Sequence, residues 1–264
     1  MTLAATLDLT AYERHGFVRL DGFARAEVGG AMQVDVVDLV RTAHETGTAP
    51  DGVLIAPESQ DGFAGVEPED LISKVFTLHE RPTFAAFLRD DRITGLLQTL
   101  IGPDVDCFLS QFIFKNPRAW GQPWHQDSFY FPFEPARPIV GLWLAVTEAT
   151  LENGCLHVLP ASHVEPVHEH VPDARPGANH GYVEIVDHDM SGAEPVLMSP
   201  GDLLVFDSHL MHRSTDNESD GIRAAMVFHC CPAGTVDHGI EAWGGAPSPV
   251  HHFSPLLRDG RVVD

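Results

Sequence analysis

Pro200-Gly201-Asp202-Leu203-Leu204-Val205-Phe206-Asp207-Ser208-His209-Leu210-Met211-His212 reads as a turn, an apolar strand and two imidazoles in one short stretch. Pro-Gly punctuates the chain, and the apolar run that follows has the length of a strand. Working outward, the same texture recurs from Asp104 onward. Short runs rich in Val, Ile, Phe and Leu at 105–115, 139–148, 155–159, 182–186, 195–198, 202–207 and 222–230 alternate with Gly, Pro, Asn and Asp. That spacing predicts an antiparallel sandwich or barrel. The segment 164–181, rich in Pro, His and Gly, is a long connection inside it, of the kind that often forms a lid or binding loop.

Upstream the reading is mixed. Thr10 is placed to cap a short helix, and Phe17-Val18-Arg19-Leu20 reads as a strand. Ala24 to His44 carries Val28, Met32, Val36, Leu39 and Val40 at a helical period, despite Gly29-Gly30. Arg81-Pro82 opens a helix to Leu88, and Asp90 caps another that runs to Ile101 before Gly102-Pro103. With no internal repeat and no Pro/Ser-rich linker, residues 1–264 are expected to form one domain. It would have a helical part at about 1–101, a β core at about 104–231 and a C-terminal extension at 232–264.

Bulk composition narrows the function. Lys and Arg total 16 against 38 Asp and Glu, a net charge of −22, which disfavours nucleic acid and anionic membrane surfaces as partners. The longest clean apolar run, Ile139 to Val146, is too short to span a bilayer, and the N-terminal residues show no signal-peptide pattern, so a cytoplasmic location is expected. Cys107, Cys155, Cys230 and Cys231 lack CxxC spacing and are expected as buried, reduced thiols. Oligomeric state is left open.

The chemistry-bearing residues fall in two groups. In Trp124-His125-Gln126-Asp127, a strand would point His125 and Asp127 to one face, and an imidazole plus a carboxylate suits Fe(II) once a third ligand joins them. HxD alone is a weak signal. His209 and His212 are both candidates for the third ligand. Arg223 sits inside the apolar run Ile222 to His229, where a guanidinium is costly to bury without an anionic partner such as a carboxylate.

Further motifs extend these. His125-Gln126-Asp127 is followed by Phe129-Tyr130-Phe131-Pro132-Phe133, Gly141-Leu142-Trp143-Leu144-Ala145-Val146 and Leu151-Glu152-Asn153-Gly154-Cys155-Leu156. Then come Leu159-Pro160-Ala161-Ser162-His163, Pro200-Gly201-Asp202, His212-Arg213-Ser214, Asn217 and Gly221-Ile222-Arg223. In this order they resemble the phytanoyl-CoA dioxygenase family of Fe(II)- and 2-oxoglutarate-dependent oxygenases. The likeness extends from about Tyr12 to Cys231. Ile113-Phe114-Lys115-Asn116-Pro117 looks most like the branch of phytanoyl-CoA dioxygenase domain-containing proteins.

The resemblance implies a mainly β fold with packed helices around a double-stranded β-helix (jelly-roll) core. It selects His212 over His209, giving His125, Asp127 and His212 as the metal ligands. It implies that Arg223 binds the distal carboxylate of 2-oxoglutarate with help from Ser214, that Trp143 and Gln111 lie against the cosubstrate, and that Lys74 reaches the same region. It further implies Fe(II), 2-oxoglutarate and O2 as the reacting set. The expected activity is oxidation of a C–H bond in a small organic substrate, such as a natural-product intermediate, with release of succinate and CO2. The retained Asp127 argues for oxygenation over halogenation. Two other readings compete: a non-redox, cupin-type metal isomerase, and a catalytically silent 2-oxoglutarate-binding module. Trp120, Trp124, Phe129, Phe131, Phe133, His79, Arg137 and Trp243 are candidate pocket residues from their proximity to the motifs.

Overall fold

The computed structural model describes residues 9–58, 60, 62–178, 181–239 and 244–263. In chain order the helices are α1 (Leu9–His15), α2 (Ala26–Thr46), α3 (Pro82–Leu88) and α4 (Asp91–Leu100). The strands begin with β1 (Phe17–Leu20), β2 (Leu54–Pro57), β3 (Ile72–Phe76), β4 (Val105–Lys115), β5 (Phe133–Glu134), β6 (Val140–Ala145) and β7 (Leu156–Val158). They continue with β8 (Val171–Pro172), β9 (Val183–Glu184), β10 (Glu194–Val196), β11 (Leu203–Asp207), β12 (His212–Ser214) and β13 (Arg223–Pro232). The last are β14 (Val236–Asp237), β15 (Ser254–Arg258) and β16 (Arg261–Val262).

The larger sheet runs β1-β11-β6-β13-β4-β15-β16, with β3 also on β4 and β2 on β3. A smaller sheet, β10-β7-β12, packs against it. Every strand pair is antiparallel, which gives the jelly-roll core. Side-chain alternation divides the larger sheet into two working faces. Phe112, Phe114, Leu142, Leu144, Leu203, Val205, Met226 and Phe228 point towards the helices, where they meet Met32, Val36, Phe84 and Leu97. Trp143, Ala145, Leu204, Phe206, Ala225 and Val227 point the other way, towards Leu156, Val158, Val196 and Met198 of the smaller-sheet region. A sheet covered on both faces reads as continuous apolar runs, which is the texture of 139–146 and 203–206.

The helices follow local rules. Pro82 starts α3, where its missing N–H costs nothing. The Asp90 carboxylate accepts the Arg92 N–H at the start of α4. Helix α2 buries Met32, Val36, Leu39 and Val40 as the period requires, and ends on a left-handed Gly47. Thr10 lies inside α1 rather than capping it. Within the C-terminal extension, β14 pairs with β5 and β15 with β4. All four cysteines are free and buried. Among the described residues no helix is long and apolar enough to cross a membrane.

Candidate metal and cosubstrate site

His125, Asp127 and His212 meet between the two sheets, with one ligand atom from each within 4.8 Å of the others. Their convergence is not the strand geometry expected for HxD. His125 and His212 exchange backbone hydrogen bonds of 2.9 and 3.0 Å as an isolated bridge, and the chain then turns into a short 3-10 helix that begins at Asp127. The bridge brings the imidazole rings to 4.2 Å, and the turn swings the carboxylate underneath them. Asp127 Oδ1 lies 3.3 Å from His125 Nε2 and 3.8 Å from His212 Nε2.

Both histidines are oriented from behind. His125 Nδ1 donates to Pro123 O at 2.8 Å and His212 Nδ1 to Leu210 O at 2.9 Å, which leaves both Nε2 lone pairs facing the common point. Burial, helped by neighbouring His125, pushes the His212 imidazole down to about 4, so it is neutral at physiological pH. Burial would raise the Asp127 carboxyl, but the imidazoles of His212 and His229 outweigh it and hold it well below the carboxylate range. An ionised carboxylate beside imidazoles whose Nε2 atoms face it is a metal-binding set. His209 is elsewhere: its Nδ1 lies 2.8 Å from Ser128 Oγ and its N–H donates to Asp207, so it is a buried structural histidine.

His229 joins the site unannounced. Its Nε2 donates to Asp127 Oδ2 at 2.7 Å, fixing the carboxylate from the side away from His125. Even spacing could have found it, since Arg223, Ala225, Val227 and His229 alternate onto one face of β13.

The cosubstrate candidates line the same cavity as the three ligands: Lys74, Gln111, Trp143, Ser214 and Arg223. Arg223 is 2% exposed and donates from Nη2 to Gly154 O at 3.1 Å, while its Nε and Nη1 have no partner. Gly154 can take this position because its φ of 81° suits glycine and an added Cβ would meet Thr215 O at 2.3 Å. The guanidinium stands 5.5 Å from the Trp143 ring centre, and burial lowers it to about 10, still charged at neutral pH.

Lys115 is the second site residue that sequence reasoning missed, having entered only as part of the Ile113–Pro117 motif. It is directly opposite Arg223 in the β4–β13 register, 4% exposed, and donates to Ser214 Oγ at 2.8 Å. Burial first, then Arg223, push its ammonium well down, while Asp216 and Glu58 pull it back. Lys74 reaches the cavity from β3 and donates to Gln122 Oε1 at 3.3 Å, with its Nζ over the Tyr182 ring.

An outer cavity of about 370 Å³ adjoins this one and shares Lys74, Gln111, Gln122, Asp127 and His229 with it. Its walls include Phe76, Tyr130, Phe131 and Tyr182. Of the aromatic and basic pocket candidates, Phe131 lines this outer space and Trp120 the inner one. The other described candidates make packing or hydrogen-bonding contacts away from both cavities. His79 is held by Ser110 and Ser254, and Phe133 packs on Phe108. Trp124 sits in a separate cluster with Leu159, Ile185 and Met211, and Phe129 stacks on His170. Arg137 binds His163 O. Trp243 lies outside the described residues.

Comparison with known proteins agrees with this geometry. The family model for phytanoyl-CoA dioxygenase (PhyH) matches residues 12–225. The chain is 32% identical over 185 residues to the peroxisomal phytanoyl-CoA dioxygenase of Bos taurus, covering 68% of this chain and 54% of that protein. The match therefore spans about half the length of that relative. Phytanoyl-CoA dioxygenase domain-containing protein 1 of Bos taurus is 28% identical over 293 residues, covering 97% of this chain and 99% of that one. Among solved structures, the epimerase SnoN in complex with Fe3+, alpha ketoglutarate and nogalamycin RO superposes with a TM-score of 0.67 at 20% identity, covering 98% and 95% of the two chains. EctD from S. alaskensis gives a TM-score of 0.62 at 20% identity, covering 86% and 76%.

Proposed function

The chain belongs to the phytanoyl-CoA dioxygenase family of Fe(II)- and 2-oxoglutarate-dependent oxygenases, and from that premise we propose that it oxidises a C–H bond of a small organic substrate held in the outer cavity. In this reading His125, Asp127 and His212 hold Fe(II), and His229 positions Asp127. When bound, Fe(II) and 2-oxoglutarate supply the oxidising chemistry, consuming O2 and releasing succinate and CO2 as the substrate C–H bond is oxidised.

One observation carries the reading. Two buried basic side chains, Arg223 and Lys115, stand directly opposite on neighbouring strands beside a metal-compatible triad, and Arg223 keeps two donors without a partner. Like charges so placed repel, and unpaired buried donors are costly. A carboxylate between them relieves both penalties. Arg223 would take the distal carboxylate through its planar fork, Lys115 and Ser214 would support it, and Trp143 would pack along the cosubstrate. Gln111 and Lys74, at the junction of the two cavities, would face both cosubstrate and substrate. A non-redox isomerase leaves the two unpartnered donors of Arg223 without an anion.

For the substrate we favour an uncharged or weakly charged carbon skeleton over an acyl-CoA. The aromatic walls of the outer cavity suit such a skeleton. The −22 net charge repels a CoA phosphate chain, though screening beyond about 8 Å limits that to a preference. The test is succinate formation from 2-oxoglutarate by the iron-loaded protein, screened with neutral polycyclic or terpenoid compounds, free acids and acyl-CoAs. Substrate-stimulated succinate release that needs Arg223 supports the reading. No turnover of 2-oxoglutarate with any class refutes the oxygenase activity, and stimulation by acyl-CoAs alone refutes the substrate class.

A further inference from the structure

Glu165 and His168 in the long loop, with His188 beyond β9, gather one carboxylate and two imidazoles apart from the His125, Asp127 and His212 cluster. One ligand atom from each lies within 4.8 Å of the others, and all three residues are half-buried. Glu165 Oε2 is 2.8 Å from His168 Nε2 and 3.1 Å from His188 Nε2. The two rings stand at 88° with centres 5.1 Å apart, so their Nε2 edges converge on a single oxygen.

The His188 ring is oriented by its other nitrogen. His188 Nδ1 lies 3.1 Å from Asp189 O, a pure acceptor, so Nδ1 must carry the hydrogen. Nε2 then faces a carboxylate oxygen at 3.1 Å, a contact that a proton or a metal ion can bridge. His125 and His212 are wired the same way, with Nδ1 on a backbone carbonyl and Nε2 facing Asp127. His170 shows the contrast. Its Nδ1 donates to His168 O and its Nε2 accepts the Gln126 N–H, so that neutral ring is satisfied and calls for no ion.

We propose that Glu165, His168 and His188 form a second metal site, separate from the first, for a borderline divalent ion such as Zn(II), with solvent completing its coordination. Two imidazole nitrogens and a carboxylate oxygen are a common zinc donor set. The role is structural. The His168 N–H donates to Gln126 Oε1 at 2.8 Å, and Gln126 Nε2 donates to Pro166 O at 3.1 Å and to His209 O at 2.9 Å. Gln126 stands between His125 and Asp127 in the chain. On the other side, the Ile185 N–H donates to Trp124 O at 2.8 Å. An ion shared by Glu165, His168 and His188 therefore ties together the two segments that flank the Trp124–Asp127 stretch.

The test is metal stoichiometry on the full chain, stripped with chelator and titrated above pH 7 with Co(II), then Zn(II), against a chromophoric competitor. The native chain should take two equivalents, and His188→Gln and His168→Gln should each take one, with unchanged circular dichroism. His212→Ala should take one and His212→Ala/His188→Gln none. Zinc should raise the melting temperature of His212→Ala, and that rise should vanish in the double variant. Loss of one ligand should weaken the second equivalent by more than the roughly 10–100-fold typical of outer-shell changes. A native chain that takes one equivalent, or a His188→Gln chain that still takes two, overturns the proposal. The pair is then an imidazolium–carboxylate contact, and the outcome leaves the first site untouched.

Discussion

Replacing Arg223 tests the cosubstrate reading most directly. The guanidinium is 2% exposed, and its Nε and Nη1 have no protein partner, so its main interaction is the one offered to a ligand. Truncating one partner of a buried charged pair costs about 2–5 kcal/mol. Lys115 remains opposite position 223 after the change and preserves part of the positive field, which places Arg223→Ala in the lower half of that range. A loss of about 2–3 kcal/mol corresponds to roughly 30–150-fold weaker 2-oxoglutarate binding. Arg223→Lys keeps the charge but loses the planar fork, and should fall between the two. Calorimetry of 2-oxoglutarate binding to the metal-loaded protein without oxygen reads the effect. Arg223→Met separates binding from folding. It fills the volume without a charge, so the ligand-free variant should melt no lower than the native chain yet gain no stability from 2-oxoglutarate. Unchanged affinity in Arg223→Ala would refute the assignment of the carboxylate pocket.

Three other outcomes are expected. His229→Ala removes the 2.7 Å hydrogen bond to Asp127 and should weaken divalent metal binding roughly 10–100-fold without unfolding the chain; equal metal affinity in competition titrations would remove His229 from the site. Gly141→Ala places a Cβ 2.3 Å from the Phe206 ring, which packs against His212 and His229, so urea denaturation should show a loss of about 1–3 kcal/mol. A change within about 0.5 kcal/mol, typical of a neutral surface site, would mean the ring relaxes freely. His79 is held neutral, chiefly by burial and then by His252 against the opposing pull of Glu80, with its pKa lowered to about 4. The unfolded chain takes up a proton there below about pH 6.5 and the folded chain does not. Stability is therefore fully present above about 6.5 and falls as pH drops towards 4, by an order of 3 kcal/mol from this group. His79→Gln should flatten the denaturation profile in that window, and an identical slope would count against His79 as its source.

Much of this was legible in the chain because it depends on local rules. Pro82, Asp90 and the period of Met32, Val36, Leu39 and Val40 fix three helices through caps and one apolar face. The apolar runs at 105–115, 139–148, 202–207 and 222–230 become β4, β6, β11 and β13 to within a few residues. β2 and β3 were not legible. They are short and owe their existence to pairing with each other and with β4, a tertiary effect. The same holds for β15, which joins the far edge of β4. Within the site, residue types pointed to His125, Asp127, His212 and Arg223, but not to the bridge and turn that aim the first two. Lys115 acquires its significance from a register in which it faces Arg223 across two strands, and sequence spacing carries no register. His168 and His188 lie on separate loop segments that only the fold brings together.

The larger sheet explains how one strand can serve both core and chemistry. On β13, Ala224, Met226, Phe228 and Cys230 face the helices, while Arg223, Ala225, Val227 and His229 face the site layer. On β4, Phe112 and Phe114 take the first face, and Gln111 and Ile113 the second. A slip of β13 by one residue along β4 would bury Arg223 and His229 against the helices and turn Met226 and Phe228 into the cavity. The apolar residues therefore fix the register that places the cations. Small residues on the site face make the remaining room. Gly141 leaves room for the Phe206 ring, which meets His212 and His229 edge-on, and Ala145 pairs with Ala225 further along the strand. The ordering of the site is thus stored mainly in residues that never touch it. Burial of the helix-facing set stabilises the one register in which Arg223, Lys115, His229 and Gln111 share a cavity with the His125–Asp127–His212 cluster.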